Sequence, residues 1–244
     1  MKLTRDKKTE KLLFDKFRAY LTRETRTGIH VSDLVSPLLA YWKRKKPKPL
    51  SDEECLYFLS GIAHHGMIEA AVEGTEEVSY TDEETGVVFS PDLRTLKGEI
   101  KTTRKSKIPD SEEACKRSYA EYIKQCKMYT ALMRLTEWKL IPFFYSVEKW
   151  ISDFYTERKP ALRAYTITWT ETEMERERTR IKKLSTDLRH ALDTDNPAKL
   201  PLCVAWKCYD AVNGKKVGKC IYWDECKPEG RHPSTVVTEE DGEF

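Results

Sequence analysis

Long hydrophobic runs are missing from this chain. No apolar stretch approaches the ~20 residues needed to cross a bilayer, which removes a membrane-spanning helix from the expected architecture. The opening MKLTRDKKTEKLL has no apolar block of the kind a secretory signal carries. The expectation is a soluble, intracellular (cytoplasmic) protein without a membrane partner. Charge of one sign is not in excess either: 43 Lys and Arg face 40 Asp and Glu, for a net +3. That total argues neither for nor against nucleic acid, so local clustering has to carry such a case. There is no internal repeat and no separate recognition domain.

What is present is a globular but polar composition. Of 244 residues, 39% are hydrophobic and 34% charged, enough apolar material for one large domain or a domain with a small appendage. Residues 4–24 carry Leu12, Leu13, Phe17 and Tyr20 at helical spacing. HVSDLVSPLLAYWKRKKPKP predicts a short helix capped by Ser32, followed by a basic run from Lys43 to Lys48, the densest positive patch available to phosphates. Ser51 with Glu54 three residues on predicts a capping box and a helix over about 51–72. EEVSYTD, GVVFSPD and LKGEIKTT read as an antiparallel meander. A long helix follows over 111–135, then the strand WKLIPFFYSV, a helix or loop in VEKWISDFYTERK, the strand LRAYTITWT and a charged helix from Glu171. This order predicts an α/β core with a mixed sheet flanked by helices. The expected partition is an N-terminal helical region over 1–50, a core over 51–195, a cysteine-rich segment over 196–230 and an acidic tail over 231–244.

Chemistry concentrates in FSPDLRTLKGEIKTT, residues 89–103. Alternation along a strand puts Glu99 and Lys101 on one face and Ile100 on the other. Asp92, before the turn, folds back beside them. Two converging carboxylates offer hard oxygen ligands to Mg²⁺ or Mn²⁺, and the lysine can orient a water and offset charge building on a phosphate. The competing reading is a surface hairpin with a weak Glu–Lys pair. His64 and His65 lie on the flank of the 51–72 helix, with Glu69 four residues after His65. Gln125 and Tyr129 lie one turn apart on the long helix, as a solvated patch or as donors to a phosphate or base.

The ordered set of Gly61 and His65, Pro91-Asp92, Glu99-Ile100-Lys101, and Gln125 with Tyr129 resembles the RecB-like branch of the PD-(D/E)XK nucleases. The likeness is closest to the CRISPR-associated exonucleases that carry an iron–sulfur cluster (Cas4-like), and it spans roughly residues 30–226. It implies a restriction-endonuclease-like core and a Mg²⁺- or Mn²⁺-dependent deoxyribonuclease. His65, Asp92, Glu99 and the Ile100 carbonyl would hold the metal, with His64 as the alternative ligand. Lys101 would position the attacking water, and Gln125 and Tyr129 would contact DNA, single-stranded or with frayed ends. By analogy it also implies self-association and docking on a CRISPR adaptation integrase; a virus- or plasmid-borne role in recombination or end processing is the other setting.

Cys203, Cys208, Cys220 and Cys226 stand in a C-x4-C-x11-C-x5-C pattern. Four thiolates close a tetrahedral Zn²⁺ site or hold an iron–sulfur cluster. The family's arrangement takes one cysteine from near the N-terminus, where this chain has Ser36. Trp206, Tyr209, Tyr222 and Trp223, interleaved with GKKVGK, suit single-stranded DNA or a small aromatic core around the metal. The rival from another class is a non-catalytic nucleic-acid-binding module in which the four cysteines form a zinc ribbon.

Overall fold

The structure, a computed structural model, describes residues 5–22, 27–72, 78–103, 105–152, 155–203, 209–212, 215–218 and 220–226. Helix α1 (Lys7–Thr22) leads to a two-residue strand β1 (Ile29–His30), α2 (Val31–Val35) and α3 (Pro37–Lys45). Ser32 lies inside α2 rather than capping it; the Asp33 carboxylate instead accepts the His30 N–H at 2.9 Å, closing the first turn from three residues on. The break between α2 and α3 falls at Ser36-Pro37, because proline lacks an N–H and disfavours helical backbone in the residue before it. Helix α4 (Asp52–Val72) starts at the capping box read from the sequence: Ser51 N–H to Glu54 at 2.8 Å, and Glu54 N–H to Ser51 Oγ at 3.2 Å.

The expected meander divides. Strands β2 (Tyr80–Thr81) and β3 (Val87–Phe89) form an antiparallel pair, and β3 also runs parallel to β1. Strand β4 (Gly98–Thr103) leaves this small sheet and pairs in parallel with β5 (Glu137–Ser152). A parallel partner needs a crossover, and α5 (Glu112–Leu132) supplies it, its backbone departing from helical values at Tyr119. Residues 147–159, expected as helix or loop, are extended where described: β5 runs on to Ser152 and β6 (Tyr155–Leu162) pairs back antiparallel to it. Trp150, Ile151 and Tyr155 are residue types that favour a strand, a preference the neighbouring charges hide in the sequence. Strand β7 (Tyr165–Thr168) pairs with the start of β5, and α6 (Glu171–Thr194) follows from a Thr170–Glu173 capping box. A small hairpin of β8 (Tyr209–Val212) and β9 (Lys215–Gly218) and a helical turn, Trp223–Cys226, complete the described chain.

The result is a mixed α/β architecture, and the alternation of β4 and β5 decides what each face of the main sheet carries. Ile100 pairs in register with Ile141, and the two pack with Leu93 and Ile68 of α4. On the opposite face Trp138, Leu140 and Phe144 join Cys126, Met128 and Tyr129 of α5 in the main core, which also takes in α2, α3 and α6. Glu99 and Lys101 therefore point toward the α5 side. Strand β4 ends the main sheet's order, β4-β5-β6, so its outer edge is not covered by another strand of that sheet.

Candidate active site

The site forms at this free edge. Leu93 and Gly98 exchange backbone hydrogen bonds at 3.0 and 2.9 Å, which turns the chain back on itself and sets Asp92 beside β4. The Ile100 N–H donates to Asp92 Oδ2 at 2.7 Å. From α4, His65 Nδ1 stands 3.7 Å from the same oxygen. Glu69, one turn later on the same flank, completes a group with His65 and Asp92 in which one ligand atom of each lies within 4.8 Å of the others. Among the described residues this is the group of three or more such side chains that comes together. Glu69 was not among the expected ligands, although its four-residue spacing from His65 is the signal that finds it. His64 points elsewhere: its Nδ1 lies 2.6 Å from the Ser60 carbonyl, and its ring stacks on Tyr145 and tilts against Phe143 of β5.

Glu99 is not a surface residue. It is 1% exposed; Lys101 Nζ donates to its Oε1 at 2.5 Å, and its Oε2 is buried without a hydrogen-bond partner. Burial pushes the Glu99 carboxyl up to about 8; Lys101 opposes the rise and the charge of Asp92 adds to it. For Lys101, burial alone would lower the ammonium, but Glu99 and Asp92 outweigh it and hold it at about 12. Burial lowers His65, against the pull of Asp92, so its ring is neutral near pH 7 with a lone pair to offer. Glu99 lies outside the His65–Glu69–Asp92 group, and its Oε1 is engaged by Lys101.

Helix α5 walls the other side. Gln125 donates to the Tyr129 hydroxyl at 3.0 Å. Tyr129 is only 5% exposed, packed between Phe89 and Trp138, and burial raises its phenol, with the charge of Glu99 adding to the effect. Cys126, fully buried, is raised by burial and then by Glu99. Two carboxylates and a neutral imidazole within reach of one point suit a hard divalent cation. The unpartnered Glu99 Oε2, on a carboxyl that feels the charge of Asp92, is a second sign of fit, since a buried carboxylate oxygen without a partner is costly.

Of the cysteine segment, Cys203, Cys220 and Cys226 are half-buried against the main core; Cys208, Trp206 and the acidic tail lie outside the described residues. Tyr222 is buried in that core. Much of the basic run is tied internally: Arg44 to Asp33, Lys45 to Asp195 and Lys48 to Glu225. No helix of the described residues is long and apolar enough to cross a membrane.

No protein-family profile matches the chain, and no curated protein does. Among solved structures, SSO0001 aligns over 94% of this chain and 97% of its own at 17% identity and a TM-score of 0.48. A phage-related exonuclease from Haemophilus somnus 129PT aligns over 70% of this chain and 97% of its own at 10% identity and a TM-score of 0.44. At such scores the fold and function of this chain stand on its own geometry.

Proposed function

We propose that the chain is a divalent-metal-dependent deoxyribonuclease on a PD-(D/E)XK-type core, hydrolysing phosphodiester bonds at single-stranded or frayed DNA ends. One observation carries the reading: the buried Glu99, one oxygen on Lys101 and the other unpartnered, at a sheet edge where Asp92, His65 and Glu69 meet. A surface ion pair has no reason to be buried in this way, whereas a site built for a cation has.

In this reading His65, Asp92 and Glu99 hold Mg²⁺ or Mn²⁺ together with the Ile100 carbonyl, and Glu69 joins them. The ion, when bound, acidifies a water and polarises the phosphate. Lys101 orients that water and offsets charge on the phosphate oxygens. The hydrogen bond from the Ile100 N–H holds the Asp92 carboxylate in place. Gln125, at the wall of the site, meets the DNA backbone, with Tyr129 fixing its amide. Water adds to phosphorus and the bond to the leaving sugar oxygen breaks, that oxygen taking up a proton. The cysteine segment, Cys203, Cys208, Cys220 and Cys226, belongs to a structural iron–sulfur or zinc site. CRISPR spacer acquisition alongside an integrase, or end processing for a virus or plasmid, is the setting the resemblance implies.

Labelled linear and circular DNA incubated with Mg²⁺ or Mn²⁺ tests this. Wild type degrades the linear substrate, whereas Asp92→Ala and Glu99→Ala remain folded and lose at least about 100-fold in rate, as expected when groups central to transition-state stabilisation go. Equal behaviour of all three proteins ends the enzymatic reading and leaves the non-catalytic nucleic-acid-binding module.

A further inference from the structure

The seam between β4 and α5 continues beyond the hydrolytic residues. Lys101 Nζ lies 5.6 Å from the centre of the Tyr122 ring; Tyr122 stacks on Tyr119 at 6.2 Å, and Lys105 Nζ lies 5.2 Å over Tyr119. Tyr165 of β7 then meets Tyr119 at 6.0 Å. A run of three tyrosine rings, with an ammonium group over Tyr122 and another over Tyr119, thus leads away from Glu99.

That path ends in a cavity of about 620 Å³ between α5, β7 and the start of α6, walled by Tyr119, Tyr165, Ile167 and Trp169. A second hollow of about 510 Å³ adjoins it at Pro109 and Asp110 and carries Lys105 and Lys107. Tyr119 is 1% exposed, yet its hydroxyl has no hydrogen-bond partner. A buried donor of this kind calls for a polar ligand edge, and the surrounding rings call for a flat apolar face. Charge differs between the two hollows. Asp110, Glu112 and Glu173 line the cavity, and the one lysine there, Lys116, is paired with Glu112 at 2.6 Å, whereas the second hollow sets Lys105 and Lys107 against the shared Asp110. A phosphate is disfavoured in the cavity and favoured beside Lys105 and Lys107.

We propose that this cavity receives an unpaired base of single-stranded nucleic acid, whose phosphates follow Lys105 and Lys107 from the Glu99–Lys101 site. The inference rests on the nuclease reading and deepens it, naming a strand with at least one unstacked base as the substrate. Stacking on Tyr165 and Trp169 accepts any base, because every base has a π-face.

The test is an abasic walk. Single-stranded oligonucleotides with one abasic position moved stepwise from the end are bound to the full chain without added Mg²⁺ or Mn²⁺ and read by fluorescence anisotropy. Wild type loses about tenfold in affinity at one position and little elsewhere, the size expected of one base–aromatic stack. Trp169→Ala flattens the walk without weakening binding of the abasic strand, and Trp169→Phe restores it. A flat walk in wild type, or an unchanged one in Trp169→Ala, overturns the pocket. Cleavage with Mg²⁺ alongside a flat walk sinks the pocket alone; a positional walk without cleavage sinks the nuclease reading alone.

Discussion

Glu99 is where the acid–base behaviour of this protein is decided. Its carboxyl is raised from 4.5 to about 8, first by burial. Below pH 4.5 it carries its proton whether the chain is folded or not, and its contribution to stability is fully present. As pH rises toward about 8 the unfolded chain releases that proton while the folded one keeps it, so stability is lost through this window. Denaturant melts in EDTA check this. Wild type loses stability from pH 4.5 to about 8 relative to the Glu99→Gln, Lys101→Met double variant, which carries neither titrating group; parallel curves would remove the burial argument. The same proton competes with a cation. Mg²⁺ affinity, read by calorimetry, should therefore strengthen from about pH 7, where His65 is already neutral, to about 8, and this strengthening should vanish in Glu99→Gln. The sequence made the residue types and their order legible, and alternation put Glu99 with Lys101. Depth was hidden, because E-I-K reads the same on an edge in water as on an edge beneath a helix; α5, on the side that Glu99 faces, is a separate element of the chain.

Elements with both ends written locally were the legible ones. Ser51 and Glu54, three residues apart, form the capping box read from the sequence and fix the start of α4; the Thr170–Glu173 box, seen in the structure, fixes that of α6 in the same way. The pairing of β4 was not legible, because its partner β5 lies beyond a whole helix and the short runs around Gly86 imitate a meander. Two variants separate helix propensity from packing. Gly66 sits inside α4 with nothing within 4 Å of where a Cβ would stand. Gly66→Ala should therefore stabilise by about 1 kcal/mol and raise Tm by about 2–4 °C. Thr170 is the N-cap of α6, accepting the Glu173 N–H. Thr170→Ala should cost about 1 kcal/mol and lower Tm by a similar step. A destabilising Gly66→Ala would mean that α4 is packed more tightly on that side than its contacts here indicate.

At the scale of the whole molecule, the basic run that ends α3 and leads toward α4 acts as a fastening. Lys48 donates to the Ile221 carbonyl, pairs with Glu225 at 3.0 Å and lies 4.9 Å over the Tyr222 ring. Burial alone would raise the Glu225 carboxyl, but its bond to Lys48 holds it below the usual carboxylate range. One side chain thus joins the N-terminal region to residues 220–226, more than 170 positions away. A run of five cations reads as a phosphate patch in a sequence because nothing local names partners so far off. If the four cysteines hold a metal, the C-terminal segment has two independent ties, the thiolates and Lys48. Removing either should loosen that segment without unfolding the core, whose buried side chains come mainly from α2, α3, α5, β5 and α6. Limited chymotrypsin digestion at Tyr222 reads this directly. Metal-loaded wild type should be cut slowly. Chelated wild type and Lys48→Met should each be cut faster, by roughly the fivefold that ~1 kcal/mol of lost local stability allows, with Tm nearly unchanged. Chelated Lys48→Met should be the fastest. If chelation leaves digestion of wild type unaltered while Lys48→Met accelerates it, the thiolates are not a tie and Lys48 fastens the segment without them.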